Sequence, residues 1–556
     1  MEGHGRPRQR PVNAPPPEAG LAPLPPPLAE TPARQRRRLR PGWGALALGG
    51  PLALVALGVL VPLGYLVLRA LEADAGTAAD LVFRARNARL LGHTAALAGG
   101  VLALATLVAG PLAWLAARGD RATRRAVTLV GVLPLAVPGY VMATALLGAA
   151  GTGGLVSSLV GTDLPRPGGF WGATLTLGLT TAPYLFLNLR AALLGLDPAL
   201  EDAGRSLGLS APGAFAQVVL PQLRPAYLAG ALLVTLHVLG DFGVVSLMRF
   251  ETFSYAIYLQ YTAAFDRVYA AWLALMLLGL TTALLVAEAR LLGRVRLSRE
   301  GSGARGRAAP LQLGRWRPLA WAHVGAVALV SVALPVATLV HWALRDPDRQ
   351  RLADLGGALV DSVGAAAPAA ALAAGLALAV AWAGVRVGTR GARAMERVAY
   401  LGYATPPLAF ALALVVFSLR AVPALYQTLA LLVGAYALHF LAEAVGPVRS
   451  ALLQAPPRLE EAARALGRGP VRAFWETTLP LVRRGLGASA ALVFLSALKE
   501  LPITYLLSPL GFDSLAVGVW GATSEGLFAV AAPYGLAIVG VSLGLVALLL
   551  RGESEG

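Results

Sequence analysis

The stretch Leu200-Glu201-Asp202-Ala203-Gly204-Arg205-Ser206-Leu207-Gly208, with Pro221 thirteen residues beyond its glycine, decides how this chain is read, because it occurs twice. The second copy is Leu459-Glu460-Glu461-Ala462-Ala463-Arg464-Ala465-Leu466-Gly467, and Pro480 again follows its glycine by thirteen. Each pair is offset by 259 positions, and Pro198/Pro457, Phe215/Phe474, Leu220/Leu479 and Arg224/Arg483 keep the same register. Each copy reads as two short helices broken at glycine. A proline and acids open the first turn, where negative charge suits the helix dipole. Gly208 and Gly467 supply the left-handed residue that ends it. A second helix starts near Ser210 in one copy and at Pro470 in the other. It is expected to end around the Leu-Pro pairs, since the residue before proline disfavours the α region. Phe215 or Phe474 would anchor the resulting hairpin in a hydrophobic pocket. An amphipathic helix lying at a lipid surface is the plainer reading of one copy; two copies in identical register favour a docking loop.

The surroundings of these loops are those of a membrane protein. Of 556 residues, 56% are hydrophobic and 14% charged, against about 25% charged in soluble domains. The net charge of +17 is carried by arginine, with Lys499 the single lysine. The arginines cluster between apolar runs, which fits loops at an anionic membrane face and not a nucleic-acid surface. Cysteine is absent, which excludes disulfide and thiolate chemistry.

Residues 1–41, with two proline triplets and eight arginines, lack the apolar content to offset chain entropy and read as a disordered tail. Spanning helices need about 20 apolar residues. Twelve candidates follow: 44–70, 90–117, 126–149, 170–193, 226–248 and 268–292, then 318–344, 357–385, 397–419, 427–446, 485–508 and 527–550. The basic linker 294–317 divides a first repeat (42–293) from a second (318–556). Arginines of the tail, the 118–125 loop, the linker and both paired loops fall on one side, which the positive-inside rule makes cytoplasmic, with both termini. Thr94, Trp114, Arg118 and Pro138 match Ser362, Trp382, Arg386 and Pro406 at an offset of 268. The first half therefore carries nine extra residues before its loop, and the Gly/Pro-rich 150–169 segment is their expected place. Six spans per half give parallel repeats about a pseudo-two-fold along the membrane normal.

The pattern of acid, two small residues, three more, glycine, and Leu-Pro thirteen further on resembles the EAA loop of binding-protein-dependent ABC importer permeases. The resemblance covers residues 42–551 and implies an all-α, MetI-like membrane fold of about 12 transmembrane helices in two parallel-oriented six-helix repeats. It implies that Glu201, Asp202, Ala203, Gly204, Gly208 and Phe215, with Glu460, Glu461, Ala462, Ala463, Gly467 and Phe474, couple the chain to two copies of an ATPase subunit. Asp202-Ala203-Gly204 departs from the pattern that Glu461-Ala462-Ala463 matches. An external solute-binding protein would deliver substrate, and the bacterial inner membrane would be the location. The chain has no Gly-x-x-x-x-Gly-Lys-[Ser/Thr], so ATP and Mg would be held by the partner subunits, with no cofactor on this chain.

Asp241 and Glu500 also stand 259 apart, each late in a fifth span, beside Gly240 or Lys499 and Pro502. Ionisable groups at such depth are functional candidates by default; the two readings are a polar gate on the translocation path, or local pairing that fixes helix packing. His237 and His439 lack ligand spacing and read as packing residues. Lys499-Glu500-Leu501-Pro502-Ile503-Thr504 and Pro509-Leu510-Gly511-Phe512-Asp513-Ser514-Leu515-Ala516 resemble the second half of ferric-iron importer permeases, and Asp241-Phe242-Gly243 fits the same subgroup. Permeases for thiamine, polyamines, sulfate or phosphonates share the fold and remain alternatives. An ion-coupled secondary transporter is the rival class, but it would not need paired acidic docking loops.

Overall fold

The computed structural model describes residues 43–292, 314–345 and 349–554. The expected tail and nearly all of the expected linker lie outside them. In the first half α1 (Trp43–Ala70) precedes α2 (Ala85–Arg118), α3 (Arg121–Val132), α4 (Gly139–Ala149) and α5 (Gly169–Gly195). The loop helix α6 (Pro198–Ser206) leads to α7 (Ala211–Gly240), α8 (Gly243–Leu247), α9 (Phe253–Thr262) and α10 (Arg267–Leu292). The second half repeats this order with α11 (Gly314–Ala343), α12 (Ala353–Val387), α13 (Arg390–Ala404), α14 (Pro407–Ala421), α15 (Leu429–His439) and α16 (Leu441–Gln454). Its loop helix α17 (Pro457–Ala465) leads to α18 (Pro470–Leu498), α19 (Pro502–Leu507), α20 (Leu515–Ser524) and α21 (Phe528–Ser554). The last residues of the expected linker, from Gly314, already belong to α11.

Among the described residues, nine helices are long and apolar enough to cross a membrane, and three bent pairs bring the number to twelve. The bends correct three expected straight spans. The chain turns by 95° between α3 and α4, by 104° between α13 and α14, and by 54° between α15 and α16. Pro138 and Pro406, the residues matched in sequence, stand at the N-caps of α4 and α14. A proline can begin the second arm but cannot continue the first, because it lacks an amide hydrogen. The extra length of the first half lies where it was expected. Residues 150–168 join α4 to α5 through a short helix, Leu155–Val160, whereas only 422–428 join α14 to α15.

Small residues set the closest packing. Ala365, Ala369, Ala373 and Ala377 of α12 are buried at a four-residue spacing, and this stripe lets α12 approach α16 and α18. The first helix of each half lies mainly on the other half. α1 packs on α12, α13 and α14, and Gly58 approaches Leu438 so closely that a Cβ would fall 2.5 Å from it. α11 packs on α21 of its own half and on α4 of the other, and touches α2 and α3. Trp342 Nε1 of α11 donates to the Gly148 carbonyl at 2.8 Å and Arg345 to that of Gly153 at 2.6 Å.

Three helices widen by one residue immediately before a Leu-Pro pair. π-turns at Phe215–Val219, Leu329–Ala333 and Phe474–Thr478 precede Leu220-Pro221, Leu334-Pro335 and Leu479-Pro480. A proline ring collides with the carbonyl four residues back, and an i→i+5 turn carries that carbonyl away. The second loop helix therefore does not end at the Leu-Pro pair, as the sequence suggested. It runs on as the fifth span.

Candidate coupling loops and gate

Both loops fold alike. Gly208 and Gly467 adopt φ of +92° and +84°, where a side chain would be strained. In the first loop Leu207 N–H donates to Ala203, Gly208 N–H to Arg205, and Leu209 N–H to Gly204, at 3.0 to 3.2 Å. Leu466, Gly467 and Arg468 make the same three bonds to Ala462, Arg464 and Ala463, each at 3.1 Å. These bonds occupy carbonyls that a helix end leaves free.

The two acids of each loop face opposite ways. Glu201 turns back to the body of the protein and meets Arg118 of α2 at 2.6 Å. Glu460 does the same with Arg386 of α12 at 4.0 Å, and also accepts from Thr478; Arg386 donates to the Ala455 carbonyl at 2.8 Å. Asp202 and Glu461 are exposed. The arginines are equivalent at an offset of 268 and the acids at 259, so the same tie is built twice from two different registers. Beside it, Asp120 caps α3 by accepting from Thr123 N–H at 2.7 Å. Bonds from the Thr123 amide and hydroxyl, with the Arg317 charge, hold its carboxyl below the usual carboxylate range.

Gly204, the residue that departs from the pattern, has a packing reason: a Cβ would lie 3.1 Å from Val218 Cγ2. The second loop has Thr477 in place of Val218 and Ala463 in place of Gly204. Phe215 and Phe474 are the candidate anchors. Both are half-buried at the start of π-turns, and Phe215 packs against the first-half core. The apolar tips are Leu207 and Leu466, 87% and 84% exposed. Their shared register was visible in sequence, but not that the cap would turn them outward.

The gate candidates lie at the far ends of α7 and α18. These helices have 30 and 29 residues, about 45 Å of helix axis. α7 stops at Gly240 and α18 at Leu498, and short helices resume beyond each break. Asp241 accepts from the amides of Val244 at 2.9 Å and Val245 at 3.3 Å; Glu500 accepts from that of Ile503 at 3.1 Å. Each acid thus satisfies backbone donors that the break frees. Pro502 takes the first position of α19, where its missing amide costs nothing. Lys499 bonds not to its neighbour Glu500 but to the Leu135 carbonyl in the other half, at 3.1 Å. A Cβ on Gly243 would lie 2.9 Å from Tyr140 Cβ of the same half and 3.1 Å from Leu501 Cδ2 of the other, so the Leu501 side chain packs on the bare backbone there.

Beyond the acids, four rings close the seam. Phe242 and Tyr258 from the first half meet Tyr505 and Trp520 from the second, with centroids 4.8 to 5.8 Å apart. Trp520 Nε1 donates to Ser246 Oγ at 2.9 Å, and the Thr144 and Thr523 hydroxyls meet at 2.8 Å. Tyr258, Trp520 and Thr523 come from short helices outside the expected spans, and sequence reasoning missed the closure they complete. It also missed Glu443, whose carboxylate accepts from Ser496 at 2.7 Å within the bundle. His439 is buried among Phe410, Phe440 and Tyr403, a packing role. His237 is exposed, with its ring 5.8 Å from that of Tyr184. No group of three or more His, Asp or Glu able to hold a metal occurs among the described residues.

Two similar helical halves, each with a capped loop and a broken fifth span, define a duplicated membrane permease. The chain belongs to the family of binding-protein-dependent transport system inner membrane components, whose model matches residues 109–297 and 372–552. It is 31% identical over 508 residues to the Fe(3+)-transport system permease protein FbpB 2 of Haemophilus influenzae, covering 90% of this chain and 96% of that protein. The sulfate transport system permease protein CysT of Salmonella typhimurium is 28% identical over 38% of this chain and 76% of its own length. A probable molybdenum ABC transporter permease of Haloferax volcanii is 31% identical over 35% of this chain and 71% of its own.

Proposed function

We propose that this permease carries ferric iron inward through a bacterial inner membrane, driven by two separate ATPase subunits and supplied by an external binding protein. The single observation that carries the cargo is the similarity to an Fe(3+) permease over nearly the whole of both chains. The sulfate and molybdenum relatives match little more than a third of this chain. The two repeats, 42–293 and 318–556, are joined by a basic cytoplasmic linker, and both termini are cytoplasmic.

Residues 201–208 and 460–467 dock the ATPases. Exposed Leu207 and Leu466 enter apolar pockets, and exposed Asp202 and Glu461 meet basic groups on the partner. When ATP draws the two subunits together, both loops move as capped units, and the Arg118–Glu201 and Arg386–Glu460 ties carry the motion to α2 and α12. The halves rock about the pseudo-two-fold, the aromatic closure parts, and the loaded binding protein releases its iron. The bias comes from the ATPases' differential affinity for the two states. The test is uptake of radiolabelled Fe(III) into proteoliposomes holding this chain, its ATPase and its loaded binding protein. ATP-dependent uptake of Fe(III) in preference to sulfate and molybdate is the expected result; uptake of an oxyanion but not iron refutes the cargo.

A further inference from the structure

We propose that the space between the halves, one helical turn inside the aromatic closure, is a transit site for the cargo cation. Its donors are the phenols of Tyr184 and Tyr403, the carboxylate of Glu443 and the imidazole of His237. The proposal rests on the ferric reading and deepens it.

Placement comes first. His237 and Ser496 precede Asp241 and Glu500 by four residues, one turn toward the coupling loops, on equivalent helices. Tyr184 and Glu443 are equivalent at the same offset of 259, as are His237 and Ser496, so each wall presents one such pair at the same depth. Tyr184 neighbours His237 in the first half, and Glu443 bonds Ser496 in the second. The Tyr403 hydroxyl is directed at the Glu443 carboxylate. Glu443 lies within electrostatic reach of Tyr184 across the seam, and Lys499 within reach of both Glu443 and His237. A cation that has passed the rings must cross this space to leave.

Unmet bonding capacity comes second. Among the described residues, neither the Tyr184 hydroxyl nor the His237 ring hydrogen-bonds a protein group, and His237 is exposed although deep in the bundle. Polar groups at such depth are tolerated where they line a wet cavity. The carboxylate and imidazole alone do not make a chelating set; the two phenol oxygens complete one suited to a small, highly charged, oxygen-seeking cation. Binding releases the phenolic protons to water. The Lys499 ammonium, held on the Leu135 carbonyl at 3.1 Å, opposes a cation in the same space and keeps its stay short. A conduction path needs a site strong enough to enter and weak enough to leave.

The experiment uses the full reconstituted complex with its binding protein loaded with radiolabelled Fe(III), comparing wild type with Glu443→Gln and Tyr184→Phe. Both changes are near-isosteric, and among the described residues the Tyr184 hydroxyl has no hydrogen-bond partner to lose. Two readings are taken: iron uptake, and ATP hydrolysis stimulated by the loaded binding protein. The expected result is uptake reduced more than fivefold in each variant, with stimulated hydrolysis within twofold of wild type. A smaller reduction overturns the transit site, and so does a parallel fall in hydrolysis, which marks a structural role. If the wild type itself accumulates no iron, the ferric reading fails instead. If the wild type transports iron and the variants match it, only the transit site fails.

Discussion

Gly467 offers a test in which one physical term can be isolated. Its φ is +84°, and a Cβ built on it meets nothing within 4 Å. A substitution therefore creates no clash, and its whole cost is the left-handed backbone, about 1–2 kcal/mol for a residue with a Cβ. Asn bears this conformation best and β-branched residues worst. A loss of 1–2 kcal/mol lowers the ratio of closed to open caps about 5–30-fold. Leu466 is turned outward in the closed cap, so affinity for the ATPase should fall with the fraction of closed caps, by at most this factor. The measurement is binding of the purified ATPase subunit to the permease in nanodiscs, for Gly467→Asn, Gly467→Ala and Gly467→Val. Affinity should drop in that order, with unchanged amounts of permease in the membrane. If Gly467→Val binds as tightly as wild type, the cap does not present the docking surface. If Asn and Val are equally impaired, the cost is not the backbone's.

Three further outcomes follow from the geometry. Arg118→Glu should abolish ATPase stimulation by loaded binding protein while the ATPase still co-purifies, and Arg118→Glu with Glu201→Arg should restore at least a tenth of it; no recovery in the double variant argues against the tie. Gly243→Ala would place a Cβ 3.1 Å from Leu501 Cδ2 across the seam, so it should loosen the closed seam and raise basal ATP hydrolysis without binding protein. The Asp120 carboxyl, lowered by its bonds to Thr123, stabilises its helix cap above the ordinary carboxylate range and loses that contribution as pH falls through its lowered value. Exchange protection of the Thr123 amide should therefore fall only at acid pH in wild type, and be low at every pH in Asp120→Ala.

The loops were largely legible in sequence because their chemistry is local. Glycine at the left-handed position, acids in the first turn and proline at the start each act within a few residues, and Gly208 and Gly467 take the conformations their neighbours imply. The bends were not legible. Pro138 and Pro406 were visible only as matched positions inside apolar runs, because a proline there can kink a span or break it and the angle depends on what each arm packs against. The π-turns before Pro221 and Pro480 were not legible, because widening a helix and ending it relieve the same proline clash. Glu443 escaped notice because its repeat partner is Tyr184, so comparing halves did not flag it. The ring closure escaped because Tyr258 and Trp520 meet only through tertiary structure.

The exchange of first helices separates the genetic map from the mechanical one. α1 is encoded with the first repeat but is gripped chiefly by α12, α13 and α14, and α11 is lodged against α4. Each body is thus held in part by a helix encoded in its neighbour's stretch of gene. Pulling them apart means drawing α1 off α12, α13 and α14 and α11 off α4. Two polypeptides severed between the repeats should therefore still co-purify.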